Sequence, residues 1–199
     1  MEELVLASTS AIRVSLLEAA GFRVRAESPH FDERQVDKGS PAEVALARAV
    51  GKVRSLVEAN SANFIVGADT VVADENGQYG KPANSERHLR RLLAFKGRTH
   101  TLYTGFAISS PTGDFVSGVE ETTLTVRADL DESEVLAYVQ KQEGLFCAGG
   151  YAIEGHGSML FSSVDGDWNN VLGLPLFRII SVLRAAGWRY GPDGYSVVS

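Results

Sequence analysis

The beginning of the chain constrains its fold more than any other segment. Leu4-Val5-Leu6-Ala7 is a short apolar run that is typical of a buried strand. The hydroxyl residues Ser8-Thr9-Ser10 follow directly, and apolar residues then recur at helical spacing from Ile12 to Ala20, before Gly21. A strand, a hydroxyl-bearing loop and a helix in this order bring the loop hydroxyls and the first free helix amides into the same space. Such a junction favours the binding of an anion.

The patterns farther along the chain alternate between helix and strand. Helices are predicted over 41–57 after a Ser40 cap, from a Ser85 cap to about residue 95, from an Asp131 cap to about residue 141, and over 176–186. Strands are predicted over 64–68, resuming at 71–73 after an interruption at Asp69-Thr70, and over 99–108, 116–126 and 159–164. The two long strands on either side of 111–114 are expected to form an antiparallel ribbon. Residues 188–199 contain turn residues and little pattern. The mixed order predicts one α/β domain over residues 1–199 with a partly antiparallel sheet.

The composition is typical of an ordinary globular protein. A chain of 199 residues with 44% hydrophobic content can bury a full core, and its apolar runs are too short to cross a bilayer, so no membrane partner is expected. The N-terminus lacks the features of a secretory signal, and the single cysteine cannot form an internal disulfide, so a cytoplasmic location is expected. The net charge of −6 argues against a nucleic-acid polymer as a partner.

A small set of polar residues has the composition that phosphate chemistry needs. Asp69 follows an apolar strand, where a carboxylate is costly to bury without a partner or a metal. Glu33 and Asp69 are candidate ligands for magnesium or manganese, because these ions prefer oxygen. The hydroxyls and cations that can hold phosphates are Ser8, Ser10, Arg13, Lys52 and Lys81.

Each of these residues also has a simpler interpretation. Ser8 and Ser10 are typical of helix caps, and Arg13 and Lys52 are typical of solvated helix faces. For Asp69, a functional role and a turn-initiating role are about equally favoured by position alone.

Two other possible functional sites are disfavoured. The glycine-rich segment 149–157 lacks the strand and the glycine order of a dinucleotide loop, and nothing in the sequence places Cys147 and His156 together as a nucleophile and base.

Several separate motifs are similar to those of a known family over nearly the whole chain. They are Leu6-Ala7-Ser8-Thr9-Ser10, Asp32-Glu33, the segment around Lys52, Gly67-Ala68-Asp69-Thr70, Gly80-Lys81-Pro82, Tyr103-Thr104-Gly105, Cys147-Ala148-Gly149-Gly150-Tyr151 and Asn170-Val171-Leu172-Gly173-Leu174-Pro175-Leu176. In this set and order the chain resembles the Maf family of nucleoside triphosphate pyrophosphatases.

The resemblance implies both a fold and an activity. The fold is an elongated mixed sheet flanked by helices, with two lobes around a cleft, as in inosine triphosphatase-like proteins. The activity is attack of water at the α-phosphorus, assisted by a divalent metal cation, with release of pyrophosphate. Asp69 matches the family's proton acceptor, which can equally act as a metal ligand together with Glu33. The residues that would contact the substrate are Ser8, Ser10, Arg13, Lys52 and Lys81.

The base of the nucleotide is predicted from three positions where the resemblance places specificity residues: Ile12, Thr70 and Glu154. The common S-x-S-P-R-R opening is replaced by Ser8-Thr9-Ser10-Ala11-Ile12-Arg13. The Cys-Ala-Gly segment followed by Glu154 is similar to the branch that acts on 7-methyl-GTP, whereas Thr70 is similar to the branch that acts on dTTP and UTP. A carboxylate at position 154 can accept hydrogen bonds from guanine and favours a cationic methylated base, so 7-methyl-GTP is preferred.

Two alternatives to that assignment stay open. The first is a dTTP/UTP pyrophosphatase. The second is a nucleotide-binding regulator that inhibits septum formation, a role with which the family is also associated. Retention of the carboxylates and lysines favours the enzyme. The expected partner is a nucleoside triphosphate, and a homodimer is compatible with the resemblance.

Overall fold

The computed structural model describes residues 2–198, which form nine strands and six α-helices. The strands are β1 (Leu4–Ala7), β2 (Val24–Glu27), β3 (Ile65–Asp74), β4 (Gly77–Tyr79), β5 (Thr99–Ser109), β6 (Phe115–Val126), β7 (Phe161–Asp165), β8 (Trp188–Gly191) and β9 (Gly194–Val197). The helices are α1 (Ala11–Ala19), α2 (Pro41–Arg54), α3 (Ser85–Phe95), α4 (Glu132–Lys141), α5 (Trp168–Val171) and α6 (Leu176–Ala185). Short 3-10 turns lie at Glu33–Gln35 and within 143–160.

The main sheet is mixed, as the sequence predicts. Its strand order is β2-β1-β3-β5-β6-β7, and β4 also pairs with β3. Strand β1 is parallel to β2 and β3, whereas the β3–β4 and β6–β7 pairs are antiparallel. Strands β5 and β6 are neighbours joined by residues 110–114, a connection too short for a parallel crossover, so they form the expected antiparallel ribbon. The predicted mixed α/β fold is confirmed.

The chain divides into two compact units. Unit 1 comprises residues 2–69, 104–120 and 173–198, and unit 2 comprises residues 70–103 and 121–172. Strands β3, β5 and β6 contribute residues to both units.

Unit 1 buries both faces of β1, which explains the unbroken apolar run at the start of the chain. Leu4 and Leu6 belong to one apolar cluster, which also contains residues of α1 and α6. Val5 and Ala7 belong to another, which also contains Val53 of α2. Because successive side chains of a strand point to opposite faces, a strand covered by helices on both sides needs apolar residues at every position.

Within unit 1, helix α2 packs closely on strands β3 and β5 because glycine residues on these strands face it. Its N-terminus has the predicted Ser40 cap, with the Ser40 amide donating to Glu43 and the Glu43 amide donating to Ser40 Oγ. A Cβ atom on Gly105 of β5 would lie 2.2 Å from the carbonyl oxygen of Ala45, and one on Gly67 would lie 2.7 Å from Cγ2 of Val53. Glycine at these two positions lets the helix backbone approach the strands.

Unit 2 has its own apolar core, built from α3, α4 and the strand segments of the unit. Two histidines are buried in it. His88 Nε2 lies 2.5 Å from the carbonyl oxygen of Gly150, and His100 Nε2 lies 2.6 Å from the hydroxyl oxygen of Tyr151. Burial lowers the pKa of His88 and lowers that of His100 to about 4, with the charge of Asp74 opposing the shift at His100.

Local details differ from the sequence prediction at several places. The predicted cap of α3 at Ser85 is wrong by one residue, because Asn84 Oδ1 accepts from the Arg87 amide and Ser85 begins the helix. Strand β2 was not predicted. The predicted interruption of the strand at Asp69-Thr70 is wrong, because β3 continues through both residues and Lys52 compensates the buried charge of Asp69. Residues 188–197 form the β8–β9 hairpin, in which Trp188 is fully buried and Tyr195 stacks on Phe22 at 4.2 Å between ring centroids. The two strands pair with each other across a short local turn, whereas their rings pack on Phe22 and Phe64, far away in the chain, and these ring contacts were not predicted.

None of the helices formed by residues 2–198 combines the length and the apolar character that a bilayer crossing requires.

Candidate functional site

Asp69 lies on the α2 side of strand β3 in unit 1. Ile65 packs in the same apolar cluster as Val53 of α2, and Gly67 also faces this helix. Since side chains alternate along a strand, the next residue on that side is Asp69. Its side chain is only 8% exposed. A carboxylate buried to this degree needs a positive partner or hydrogen bonds.

Lys52 of α2 provides that partner. Its Nζ atom lies 2.6 Å from Oδ1 of Asp69, and the lysine side chain is also only 8% exposed. The same ammonium lies 2.6 Å from Oε1 of Glu33 in the Glu33–Gln35 turn. One buried cation thus joins two carboxylates, so Lys52 is not part of a solvated helix face.

Arg48 also belongs to this cluster, although the sequence analysis did not predict it as a site residue. Its NH1 atom lies 3.7 Å from Oδ2 of Asp69, and its Nε donates to the carbonyl oxygen of Val36 at 2.9 Å. Arg48 stands four residues before Lys52 on α2, a spacing that puts both side chains on one face of a helix. That spacing was the available sequence signal.

The Glu33 side chain is half-buried and carries the charge of a carboxylate. Burial opposes its ionisation and is the largest single influence on its pKa. The hydrogen bond from Lys52, together with the charges of Lys52, Arg48 and Arg13, outweighs burial and lowers the pKa of Glu33 below its usual value. Glu33 is therefore ionised at neutral pH and is available as an oxygen ligand.

Arg13 of α1 is half-buried and donates hydrogen bonds to backbone carbonyls. Its Nε donates to Gly173 at 2.7 Å, and its NH1 donates to Ala68, the residue before Asp69, at 2.7 Å. Burial lowers the pKa of the guanidinium, while the charges of Asp69 and Glu33 raise it. Arg13 thus supports the end of the β3 segment that carries Asp69, and it also adds positive charge near both carboxylates.

Ser8 and Ser10 lie at the junction of β1 and α1. The parallel register pairs Leu6 with Val66, and extending it by two residues brings Ser8 level with Ala68. Ser10 occupies the cap position of α1, but its side chain makes no capping hydrogen bond; its amide donates to Ser8 Oγ at 3.2 Å instead. The cap interpretation of the Ser10 hydroxyl is therefore not supported, and the first turn of α1 contains no acidic residue that would repel an anion.

The carboxylates fit the divalent cation that the family resemblance implies. Asp69 Oδ2 is buried and has no hydrogen-bond partner in the part of the chain that the structure describes, and Glu33 is held beside Asp69 by the shared Lys52 ammonium. In residues 2–198 there is no cluster of three or more His, Cys, Asp or Glu side chains suited to a metal. Magnesium commonly uses one or two carboxylates and completes its shell with water and substrate phosphates, so two carboxylates are sufficient.

Unit 2 contains the other predicted residues, apart from Ile12, which is half-buried on α1 of unit 1. Lys81 is exposed in the connection between β4 and α3, and Glu154 is exposed in the glycine-rich segment. Burial raises the pKa of the Cys147 thiol; the charge of Glu154 adds to this shift and that of Lys81 opposes it. Lys81 and Glu154 therefore both lie near Cys147. Thr70, the first residue of unit 2, is half-buried on β3.

Comparison with known proteins finds similar sequences over nearly the whole chain. The sequence model of the family described as Maf-like protein matches residues 3–186. A Geobacillus sp. protein named dTTP/UTP pyrophosphatase is 34% identical over 188 residues, which cover 94% of this chain and 100% of the relative. A Bacillus cereus protein of the same name is 35% identical over 184 residues, covering 92% and 90% of the two chains.

Among solved structures, the Staphylococcus aureus Ham1 protein is similar to this chain with a TM-score of 0.54. The two are 16% identical, and the match covers 93% of this chain and 100% of that one. At this level of identity the likeness supports a shared fold and nothing further. The family assignment depends instead on the match over residues 3–186 and on relatives of 34–35% identity, and these show that the chain belongs to the Maf family.

Proposed function

We propose that this protein hydrolyses nucleoside triphosphates to nucleoside monophosphate and pyrophosphate. The single observation that carries the proposal is the state of Asp69. Its carboxylate is buried, one oxygen is held by Lys52, and the other oxygen has no hydrogen-bond partner among residues 2–198. The names of the relatives support the same class of reaction.

In the proposed reaction, the oxygen of a water molecule forms a bond to the α-phosphorus. The bond between the α-phosphorus and the oxygen that bridges to the β-phosphorus breaks, and pyrophosphate leaves with that oxygen. Asp69 accepts the proton of the attacking water through Oδ2, while Lys52 holds the carboxylate in place through Oδ1. A divalent cation bound by Asp69 and Glu33 would offset the negative charge of the phosphates.

The remaining candidate residues are proposed to bind the substrate. Lys52 and Arg13 supply positive charge close to Asp69, and the Ser8 and Ser10 hydroxyls lie at the start of α1, where free amides favour an anion. Lys81 is proposed to bind phosphate from unit 2, where it is exposed. We also propose that the two units act as one domain, because the family match includes residues of both. The cytoplasmic location and the homodimer stay predictions.

We propose dTTP or UTP as the preferred substrate. The Geobacillus and Bacillus relatives carry that name, and Thr70 agrees with it. The second candidate is 7-methyl-GTP, for which Glu154 is the specific observation, because its carboxylate is exposed and can meet the cationic edge of a methylated guanine. Ile12, Thr70 and Glu154 are proposed to select the base.

The test is turnover of a panel that contains dTTP, UTP, GTP, ATP and 7-methyl-GTP, each with magnesium and with manganese. Chromatography of the products should show monophosphate and pyrophosphate in equal amounts. Release of orthophosphate and a diphosphate would contradict the proposed bond cleavage. Tight nucleotide binding without turnover would favour the regulator of septum formation instead.

A further inference from the structure

We propose that Arg48 is a positioning residue for the Asp69 carboxylate and for the segment that carries Glu33. This inference depends on the proposed function only for its kinetic consequence. Its structural basis is a pair of contacts made by a single guanidinium, one to Val36 and one to Asp69.

The first contact fixes the segment around Glu33 to helix α2. Arg48 Nε donates to the Val36 carbonyl at 2.9 Å, and the Val36 amide itself donates to the Glu33 carbonyl at 3.1 Å. Before the turn, the segment is attached to α2 by Phe31, whose ring lies against Gly51, and within the turn Glu33 contacts Lys52. At the end of the turn Gln35 is exposed and the Arg34 side chain bonds only its neighbour Asp32 among the described residues, so the Arg48 bond is the described side-chain link of this end to α2. The Arg48 bond therefore holds the turn in the position from which Glu33 reaches Lys52.

The second contact acts on Asp69 by charge and not by a hydrogen bond. NH1 of Arg48 lies 3.7 Å from Oδ2, which is beyond hydrogen-bond range. A unit charge at this distance still attracts the carboxylate strongly where water is scarce. Oδ2 is thus stabilised by a cation that does not use its lone pairs. The two oxygens of Asp69 differ as a result, because Lys52 bonds Oδ1 and Oδ2 keeps its capacity to accept a proton from water.

The guanidinium shape is needed for this double role. Its donors point in different directions from one rigid plane, so it can bond Val36 at one edge while facing Asp69 with another. A lysine has one ammonium on a flexible stem and cannot hold both positions at once. A lysine at position 48 should keep the charge and lose the link.

The experiment compares Arg48→Met and Arg48→Lys with Arg54→Met in the full-length protein. Arg54 lies on the same helix and is exposed, and its side chain has one described contact, with the ring of Phe115. Arg48→Met should lower kcat about 100-fold and change KM less than about threefold, because a misplaced carboxylate affects the transition state more than binding. Arg48→Lys should recover part of the lost kcat. Arg54→Met should match the parent.

Hydrogen exchange of the Gln35 and Val36 amides provides a readout without substrate. Both Arg48 variants should speed exchange at these amides about fivefold or more, while the amides of α2 stay protected. Unchanged exchange would overturn the link to Val36. A raised KM with an unchanged kcat would show that Arg48 contacts substrate and does not position Asp69. If the parent fails to hydrolyse any nucleotide, the proposed function fails, while hydrogen exchange still decides the structural role of Arg48.

Discussion

The ammonium of Lys52 lies 2.6 Å from Oδ1 of Asp69, and both side chains are almost completely buried. A buried ion pair contributes little compared with a well-packed apolar pair, but removing one partner leaves the other charge without compensation. The contribution of the pair to stability can therefore be measured separately from the contribution of Asp69 to activity.

Lys52→Met should lower the free energy of unfolding by about 3 kcal/mol, since Asp69 then loses its hydrogen-bonded cation and keeps only the more distant charges of Arg48 and Arg13. In the double variant Lys52→Met/Asp69→Asn, the loss should be clearly smaller than the sum of the two single losses. Urea denaturation at neutral pH measures the free energy of unfolding of the parent, the two single variants and the double variant. Additive losses would mean that the two side chains do not interact in solution.

Asp69→Asn should lower kcat about 1000-fold or more, because an amide can neither accept the proton of water nor balance a cation as a carboxylate does. Initial rates of pyrophosphate release with the best nucleotide of the panel provide the measurement. Asp129→Asn is the matched control, since Asp129 is exposed and pairs with Arg127 at the surface. A turnover number near that of the parent would remove Asp69 from the proposed mechanism.

Glu154→Gln should lower kcat/KM for 7-methyl-GTP relative to UTP about tenfold, because a neutral amide loses the attraction to a cationic base and suits the edge of uracil better. Competition between the two nucleotides in one reaction measures the ratio directly. Glu132→Gln, an exposed position on α4, serves as the control. An unchanged ratio would show that Glu154 does not read the base.

The buried His100 should make the protein less stable in acid. Its pKa is lowered to about 4, so the unfolded chain binds a proton at pH values where the folded protein does not. The contribution to stability is fully present above the ordinary histidine pKa of 6.5 and is lost as the pH falls toward 4, by about 3 kcal/mol in total.

Denaturation of the parent and of His100→Gln at pH 7.5 and pH 5 tests this effect. The variant should lose less stability between the two pH values, because it has no group to protonate there. His30→Gln should retain the full acid dependence of the parent, since the His30 side chain is exposed. An equal acid dependence in the parent and in His100→Gln would show that His100 is not buried in its neutral form.

Gly105→Ala should destabilise the protein by about 3 kcal/mol or more, because the added Cβ would meet the backbone of Ala45, which cannot move without displacing α2. Gly80→Ala is the control. A Cβ at that position meets nothing within 4 Å, so the change should stay within about 0.5 kcal/mol. Thermal unfolding compares the two variants. Similar melting temperatures would contradict the close packing of α2 on β5.

The local features of the sequence were sufficient for much of the fold. Helix α2 begins at Pro41 after its Ser40 cap, and α4 follows Asp131, as predicted, because capping depends on residues three or four positions apart. The buried strand β1 followed by α1 was predicted for the same reason, since the apolar periods are local. Strand β2 was not predicted, because it pairs with β1 on the far side of α1. The two strands of the β8–β9 hairpin are adjacent in the chain, but the rings that attach the hairpin to the rest of unit 1 pack on Phe22 and Phe64, which are distant in the sequence.

The sequence alone determined that a carboxylate stands on an apolar strand, that hydroxyls stand before a helix, and which family the motifs resemble. Only the tertiary structure decided that Lys52 bonds both Asp69 and Glu33, and that Arg48 faces the remaining oxygen of Asp69. The physical reason is that these contacts depend on how α2 docks against β3, which is set by small residues such as Gly67 and Gly105 on the strands. Such docking joins segments far apart in the chain, and local periodicity contains no information about it.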